Sequence, residues 1–142
     1  MSAPILIVDD DRDLCDVLAD LLERNGYAPV VCYDGVEALG HLREGPRPLA
    51  ILLDLEMPRM NGYELRAAQL ADARLASIPV LLISDQHLVD RSRLGAIEIV
   101  PRPFTLERLL AAVAKHVDVT SRIDQAPRMR RGRVATLSDR ES

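Results

Sequence analysis

Five short apolar runs, each followed by residues at helical spacing, constrain this chain more than any other feature. The runs are ILIV (5–8), APVVCY (28–33), LAILLD (49–54), IPVLLIS (78–84) and AIEIV (96–100). Each has strand length and is apolar at nearly every position, so neither face of the strand is built for water. After the first run, Leu14, Val17, Leu18, Leu21 and Leu22 form the i, i+3, i+4, i+7, i+8 stripe of a helix that Asn25-Gly26 ends. DGVEALGHLREG predicts a second helix, with Asp34 as N-cap and Gly45 past its end. GYELRAAQLADARL contains a third, and LVDRSRLG leaves room for only a short fourth. TLERLLAAVAKHV closes the pattern with Leu106, Leu109, Leu110, Val113 and Val117 on one face. Strands buried on both faces need helices on both faces. The expected fold is therefore α/β: a doubly wound, five-stranded parallel sheet of flavodoxin-like order 2-1-3-4-5 with a shortened fourth helix.

That topology locates a site before any motif is considered. Ligands of such sheets bind at the carboxyl ends of the strands beside the switch point, here between strands one and three. Asp9, Asp10 and Asp11 follow strand one, and Asp54 ends strand three. A carboxylate leaving a buried strand costs several kcal/mol unless it is hydrated, paired or bound to a cation. Clustered carboxylates also raise one another's pKa unless a cation intervenes, and an oxygen-only donor set favours Mg²⁺. The competing reading is a solvated acidic rim in which Asp10 and Asp11 merely start a helix.

Composition narrows the class. With 142 residues, 48% of them apolar, the chain has enough material for one ordinary domain. Its apolar runs are too short to span a membrane, and MSAPILIVDDD lacks a secretory pattern. Cys15 and Cys32 have neither metal-ligand nor redox spacing, so a reduced cytoplasmic protein is expected, with both thiols as small apolar fillers. His41, His87 and His116 lie in different elements and read as surface or packing residues. Residues 118–142 carry six Arg against four acids, a local charge of +2, which leaves −6 of the net −4 on residues 1–117. The domain is expected over 1–117 and a disordered Arg-rich tail over 118–142, since the tail lacks apolar periodicity. RMRRGR could attract nucleic acid, but its small excess charge and lack of interleaved aromatics favour a solvated linker.

Four separated segments then carry a resemblance: ILIVDDD, LLDLEMPRMNG, Ser84 after VLLI, and GAIEIVPRPF. Together they resemble the receiver domain of two-component response regulators, from about residue 4 to 117. The resemblance implies that Asp54 accepts a phosphoryl group from the phosphohistidine of a sensor histidine kinase or phosphotransfer protein. It implies Mg²⁺ on oxygens of Asp10 and Asp54 and the backbone carbonyl of Glu56, with Asp9 acting through a coordinated water. Ser84 would hydrogen-bond the new phosphoryl group, and signalling would follow by contact with a downstream protein target. A carboxylate is a competent nucleophile for this transfer, which is catalysed mainly by positioning and charge neutralisation.

The sequence also departs from that family. Arg102 replaces the lysine at the end of strand five; it can pair with Asp54 and bind phosphate, but it is not a compact point charge. A second reading follows, in which Arg102 neutralises Asp54 permanently and the domain binds partners without phosphorylation. The family's usual cis peptide is expected between Arg102 and Pro103. Asp85 stands where a small residue is usual. Facing a phosphoryl group about 6 Å away it would repel it by roughly 3 kcal/mol, so a solvent-facing or capping role is expected. Ser84 to Gly95 is eleven residues, about one helical turn short, and Ile99 occupies the position of a switch aromatic. Both features bear on signal output and not on the acceptor chemistry.

Overall fold

The computed structural model describes residues 3–84, 89–95 and 97–125, with side chains through residue 117. In chain order the elements are β1 (Pro4–Val8), α1 (Arg12–Arg24), β2 (Ala28–Cys32), α2 (Gly35–Glu44), β3 (Ala50–Leu53) and α3 (Gly62–Ala71). They continue with β4 (Val80–Ser84), a 3₁₀ turn (Arg91–Arg93), β5 (Glu98–Pro101) and α4 (Leu106–Gln125). All strand pairs are parallel and the order is β2-β1-β3-β4-β5, as the run pattern predicts.

Successive residues of each central strand feed opposite layers, which is why the runs are continuously apolar. Leu6, Val8, Ile51, Leu53 and Leu82 pack with Leu39 and Leu42 of α2 and Leu65 of α3. Ile5, Ile7, Leu52, Leu81 and Ile83 pack on the other side with Leu18 and Leu22 of α1 and Leu109 and Val113 of α4. Cys15 and Cys32 are buried free thiols, one in each layer. Burial pushes both thiols up to about 12, which makes them poor nucleophiles at neutral pH.

The helices begin where short polar side chains satisfy the first free N–H groups. Asp11 accepts from the N–H of Leu14, and Asp34 accepts from that of Glu37. Asn61 and Glu64 form a reciprocal capping box at the start of α3. Gly26, at φ 86°, takes the left-handed conformation that stops α1.

Two boundaries differ from the periodicity. The closing helix continues to Gln125, so residues 118–125, expected to begin a disordered tail over 118–142, are helical. Once nucleated on the core contacts that end at Val117, the helix propagates by one backbone hydrogen bond per residue. In place of a fourth α-helix, the described residues contain only the turn Arg91–Arg93. Asp85, His87 and residues 126–142 of the tail lie outside the described residues. Ile99 is buried in the layer beneath α2 and α3. His116 Nε2–H donates a 2.7 Å hydrogen bond to Glu98 Oε1, and Arg108 and Lys115 each lie 3.5 Å from the same carboxylate.

Candidate functional site

Parallel registration creates the site. Val8 pairs with Leu53, so the next residues along β1 and β3, Asp9 and Asp54, leave the sheet side by side. The Asp54 N–H donates to Val8 C=O at 2.9 Å, and the Asp9 N–H donates to Cys32 C=O at 3.1 Å. Strand hydrogen bonding therefore continues one residue past each strand end and fixes where both side chains emerge. Asp9 is buried and Asp54 is half-buried, whereas Asp10 and Asp11 are exposed. One carboxylate oxygen from each of Asp9, Asp10 and Asp54 falls within 4.8 Å of the others. Asp11 stands outside this group as the cap of α1, so one of the strand-end acids does start a helix.

These carboxylates line an open cleft of roughly 990 Å³ whose walls include Glu56, Pro58, Ser84 and Arg102. Ser84, at the end of β4, is buried, and its carbonyl accepts from the Arg102 N–H at 3.3 Å. The Arg102–Pro103 peptide is cis, as the family resemblance implies. One Arg102 nitrogen lies 3.4 Å from Asp9 Oδ2 and 3.8 Å from Asp54 Oδ1. Among the described residues Asp10 makes no ion pair.

One guanidinium does not balance this site. Burial, reinforced by the charge of Asp9 and opposed by Arg102, pushes Asp54 up to about 6. Burial likewise raises Asp9 above the usual carboxylate range, against a hydrogen bond from the Asp11 N–H and the charge of Arg102. Converging hard oxygens that remain short of positive charge fit a small divalent cation.

The loop carrying Glu56, Pro58 and Arg59 is fastened to α2. Gly35 donates its N–H to Met60 C=O at 3.0 Å. Arg59 sits at φ 66°, a conformation that costs a non-glycine residue about 1 kcal/mol or more. Its guanidinium holds Asp34 at 2.6 and 2.8 Å, and the Glu37 N–H together with Arg59 keeps that carboxylate below its ordinary range. Asp34→Ala removes the helix cap and the Arg59 anchor together, and is expected to lower stability by about 1–2 kcal/mol in urea titrations at pH 7. A group with a depressed folded pKa contributes above its unfolded pKa and loses that contribution as pH falls through the folded value. The difference between wild type and Asp34→Ala should therefore shrink below about pH 4.

Two cleft residues escape sequence reasoning: Tyr63 in the first turn of α3 and Arg93 in the 3₁₀ turn. Neither carries a motif that marks it as a cleft residue. His41, by contrast, lies away from the cleft and lines a small apolar recess with Pro4 and Pro48.

The chain matches known proteins in sequence and in fold. The response regulator receiver domain family matches residues 5–114. Response regulator MprA of Mycobacterium bovis is 37% identical over 133 residues, covering 91% of this chain and 56% of the relative. The chain thus spans about half the length of the curated relatives it matches. The signal receiver domain of a signal transduction histidine kinase from Syntrophus aciditrophicus superposes with a TM-score of 0.74 at 27% identity, covering 94% of this chain and 99% of that one. Chemotaxis protein CheY4 of Vibrio cholerae gives 0.72 at 26%, covering 81% and 98%. Strand order, the acids gathered at the switch point and the match across most of its length agree, and the chain belongs to the response regulator receiver domains of two-component signalling.

Proposed function

We propose that this chain accepts a phosphoryl group on Asp54 from the phosphohistidine of a histidine kinase or phosphotransfer protein, in a Mg²⁺-dependent reaction in the cytoplasm. The observation that carries this reading is the convergence of Asp9, Asp10 and Asp54 within 4.8 Å, on a cleft shared with Ser84 and Arg102. Asp10 and Asp54, with the Glu56 carbonyl, would hold the ion directly, and Asp9 through water. When bound, the ion neutralises oxygen charge on the carboxylates and the incoming phosphoryl group.

The remaining work falls to side chains. Asp54 attacks phosphorus in line; a P–O bond forms, the P–N bond to the donor imidazole breaks, and the imidazole keeps the electron pair and takes a proton from solvent. Ser84 donates its hydroxyl hydrogen bond to a phosphoryl oxygen, and Arg102 turns from the Asp9–Asp54 pair toward the same group. The signal passes through contact with a downstream protein, and the residues after the 1–117 signalling unit, of which 118–125 continue α4, serve as an appended segment. No helix among the described residues is long and apolar enough to cross a membrane.

The second reading draws on one distance set. Arg102 already bridges Asp9 and Asp54 at 3.4 and 3.8 Å, so a permanently neutralised docking module is the rival. Incubation with acetyl phosphate and Mg²⁺, followed by intact-mass measurement, separates the two. The expected result is the gain of one phosphoryl group, abolished by EDTA. No gain together with no Mg²⁺ binding overturns the acceptor reading. Arg102→Lys is expected to be phosphorylated at least as fast as wild type, since the ammonium retains charge with less reach toward Asp9. Complete loss in that variant would mean that the guanidinium has a role no ammonium can fill.

A further inference from the structure

We propose that Arg93 is a phosphodonor-binding residue on the rim of the Asp54 cleft, an inference that rests on the acceptor reading above. Arg93 lines the same cleft as Asp54, Ser84 and Arg102. Its guanidinium carbon lies 4.2 Å from the centroid of the Tyr63 ring. Among the described residues no carboxylate pairs with it, whereas Arg102 is committed to Asp9 and Asp54. A guanidinium resting on an aromatic face keeps its N–H edge available, and that edge matches two oxygens of a phosphoryl group.

Its placement is fixed by construction. The turn Arg91–Arg93 is clamped to α3 at both ends, by two residues one helical turn apart. The N–H of Asp90 donates to the Tyr63 hydroxyl at 2.8 Å, and buried Arg66 donates from Nε to Leu94 C=O at 2.8 Å. Within the turn, Asp90 Oδ1 accepts from the Ser92 N–H at 3.1 Å and from its hydroxyl at 2.6 Å. Arg93 therefore springs from a segment held to α3 on either side of it.

Electrostatics supplies the reason for a cation there. Among the described residues Asp9, Asp10, Asp11, Asp54 and Glu56 line the cleft, and Arg93 and Arg102 are the cations that face them. A phosphodonor is itself an anion and must approach this acidic surface. Arg93 hydrogen-bonds the non-bridging oxygens of the incoming group without giving up a proton. With acetyl phosphate, Asp54 forms the new P–O bond while the bond from phosphorus to the acetyl oxygen breaks, and acetate leaves with its electron pair.

The test uses the full chain. Arg93→Ala is expected to lower the second-order rate constant for phosphorylation by acetyl phosphate about fivefold, the scale of one exposed charge-assisted contact. The loss should shrink at high salt, with Mg²⁺ affinity by calorimetry unchanged, and Arg93→Lys should recover part of it. Nuclear magnetic resonance titration with inorganic phosphate should show binding that Arg93→Ala loses. If wild type is phosphorylated and Arg93→Ala matches it in rate and in phosphate binding, the Arg93 inference falls while the acceptor reading stands. If wild type takes no phosphoryl group, the acceptor reading falls, and phosphate binding that does not depend on Arg93 overturns this inference as well.

Discussion

Replacing Asp54 with asparagine is expected to abolish phosphoryl uptake and, in the same molecule, to stabilise the metal-free protein at pH 8. The first effect follows from nucleophilicity. An amide offers no anionic oxygen to attack phosphorus, so transfer from acetyl phosphate should fall by at least about a thousandfold. The second follows from the site's charge. Asp54 is raised from 3.8 to about 6, chiefly by burial and next by Asp9. A raised folded pKa contributes stability that is complete below the unfolded value and is lost as pH rises through the folded one. Above about pH 6 the ionised carboxylate therefore costs the fold up to about 3 kcal/mol, a cost that asparagine does not carry. Urea titrations in EDTA should show Asp54→Asn more stable than wild type by about 1–3 kcal/mol at pH 8, with the advantage gone near pH 4. Saturating Mg²⁺ should close the gap at pH 8, since only wild type keeps all three carboxylates. Equal stability at both pH values would show that Asp54 is not held in a charge-starved site.

What could be read in advance tracks where each signal resides. The sheet was legible because ILIV, AILL and VLLIS must be buried on both faces, and few topologies allow it. Asp9, Asp10, Asp11 and Asp54 followed from that topology alone, whereas the pairing of Val8 with Leu53, which sets Asp9 beside Asp54, is a property of the folded sheet. Asn61 was legible as a turn, yet its Asn-x-x-Glu spacing to Glu64 also spelled out a capping box. Other features depend on contacts between distant segments, which no local pattern encodes. Arg59 holds Asp34 across 25 positions, and Arg66 reaches Leu94 across 28. Nothing in GYELRAAQLA distinguishes an arginine that is buried from one on the solvent face. The tight seating of Gly35 on Met60 is equally invisible, because a glycine at the start of a helix resembles any other.

Gly62→Ala should have the largest effect on the fold, and Gly40→Ala is its control. A Cβ built on Gly62 meets the carbonyl oxygen of Asp54 at 2.5 Å and Leu55 Cα at 2.8 Å. Both are backbone atoms, so no rotamer change relieves the overlap. The glycine is required by close approach: the Gly62 N–H donates to Leu55 C=O at 2.8 Å, which seats the start of α3 against the end of β3. Adding the methyl group must push α3 or the Asp54 backbone aside, at a cost of about 3 kcal/mol. In α2, Gly40 has nothing within 4 Å of such a Cβ, and alanine in a helix interior is favoured by roughly 0.5–1 kcal/mol. Urea titrations should thus move in opposite directions for the same chemical change. Since the atoms displaced in Gly62→Ala belong to the acceptor residue, the molecules that still fold should also bind Mg²⁺ and beryllofluoride more weakly than wild type. A Gly62→Ala protein as stable and as competent as wild type would mean that α3 is not what positions Asp54 at the strand end.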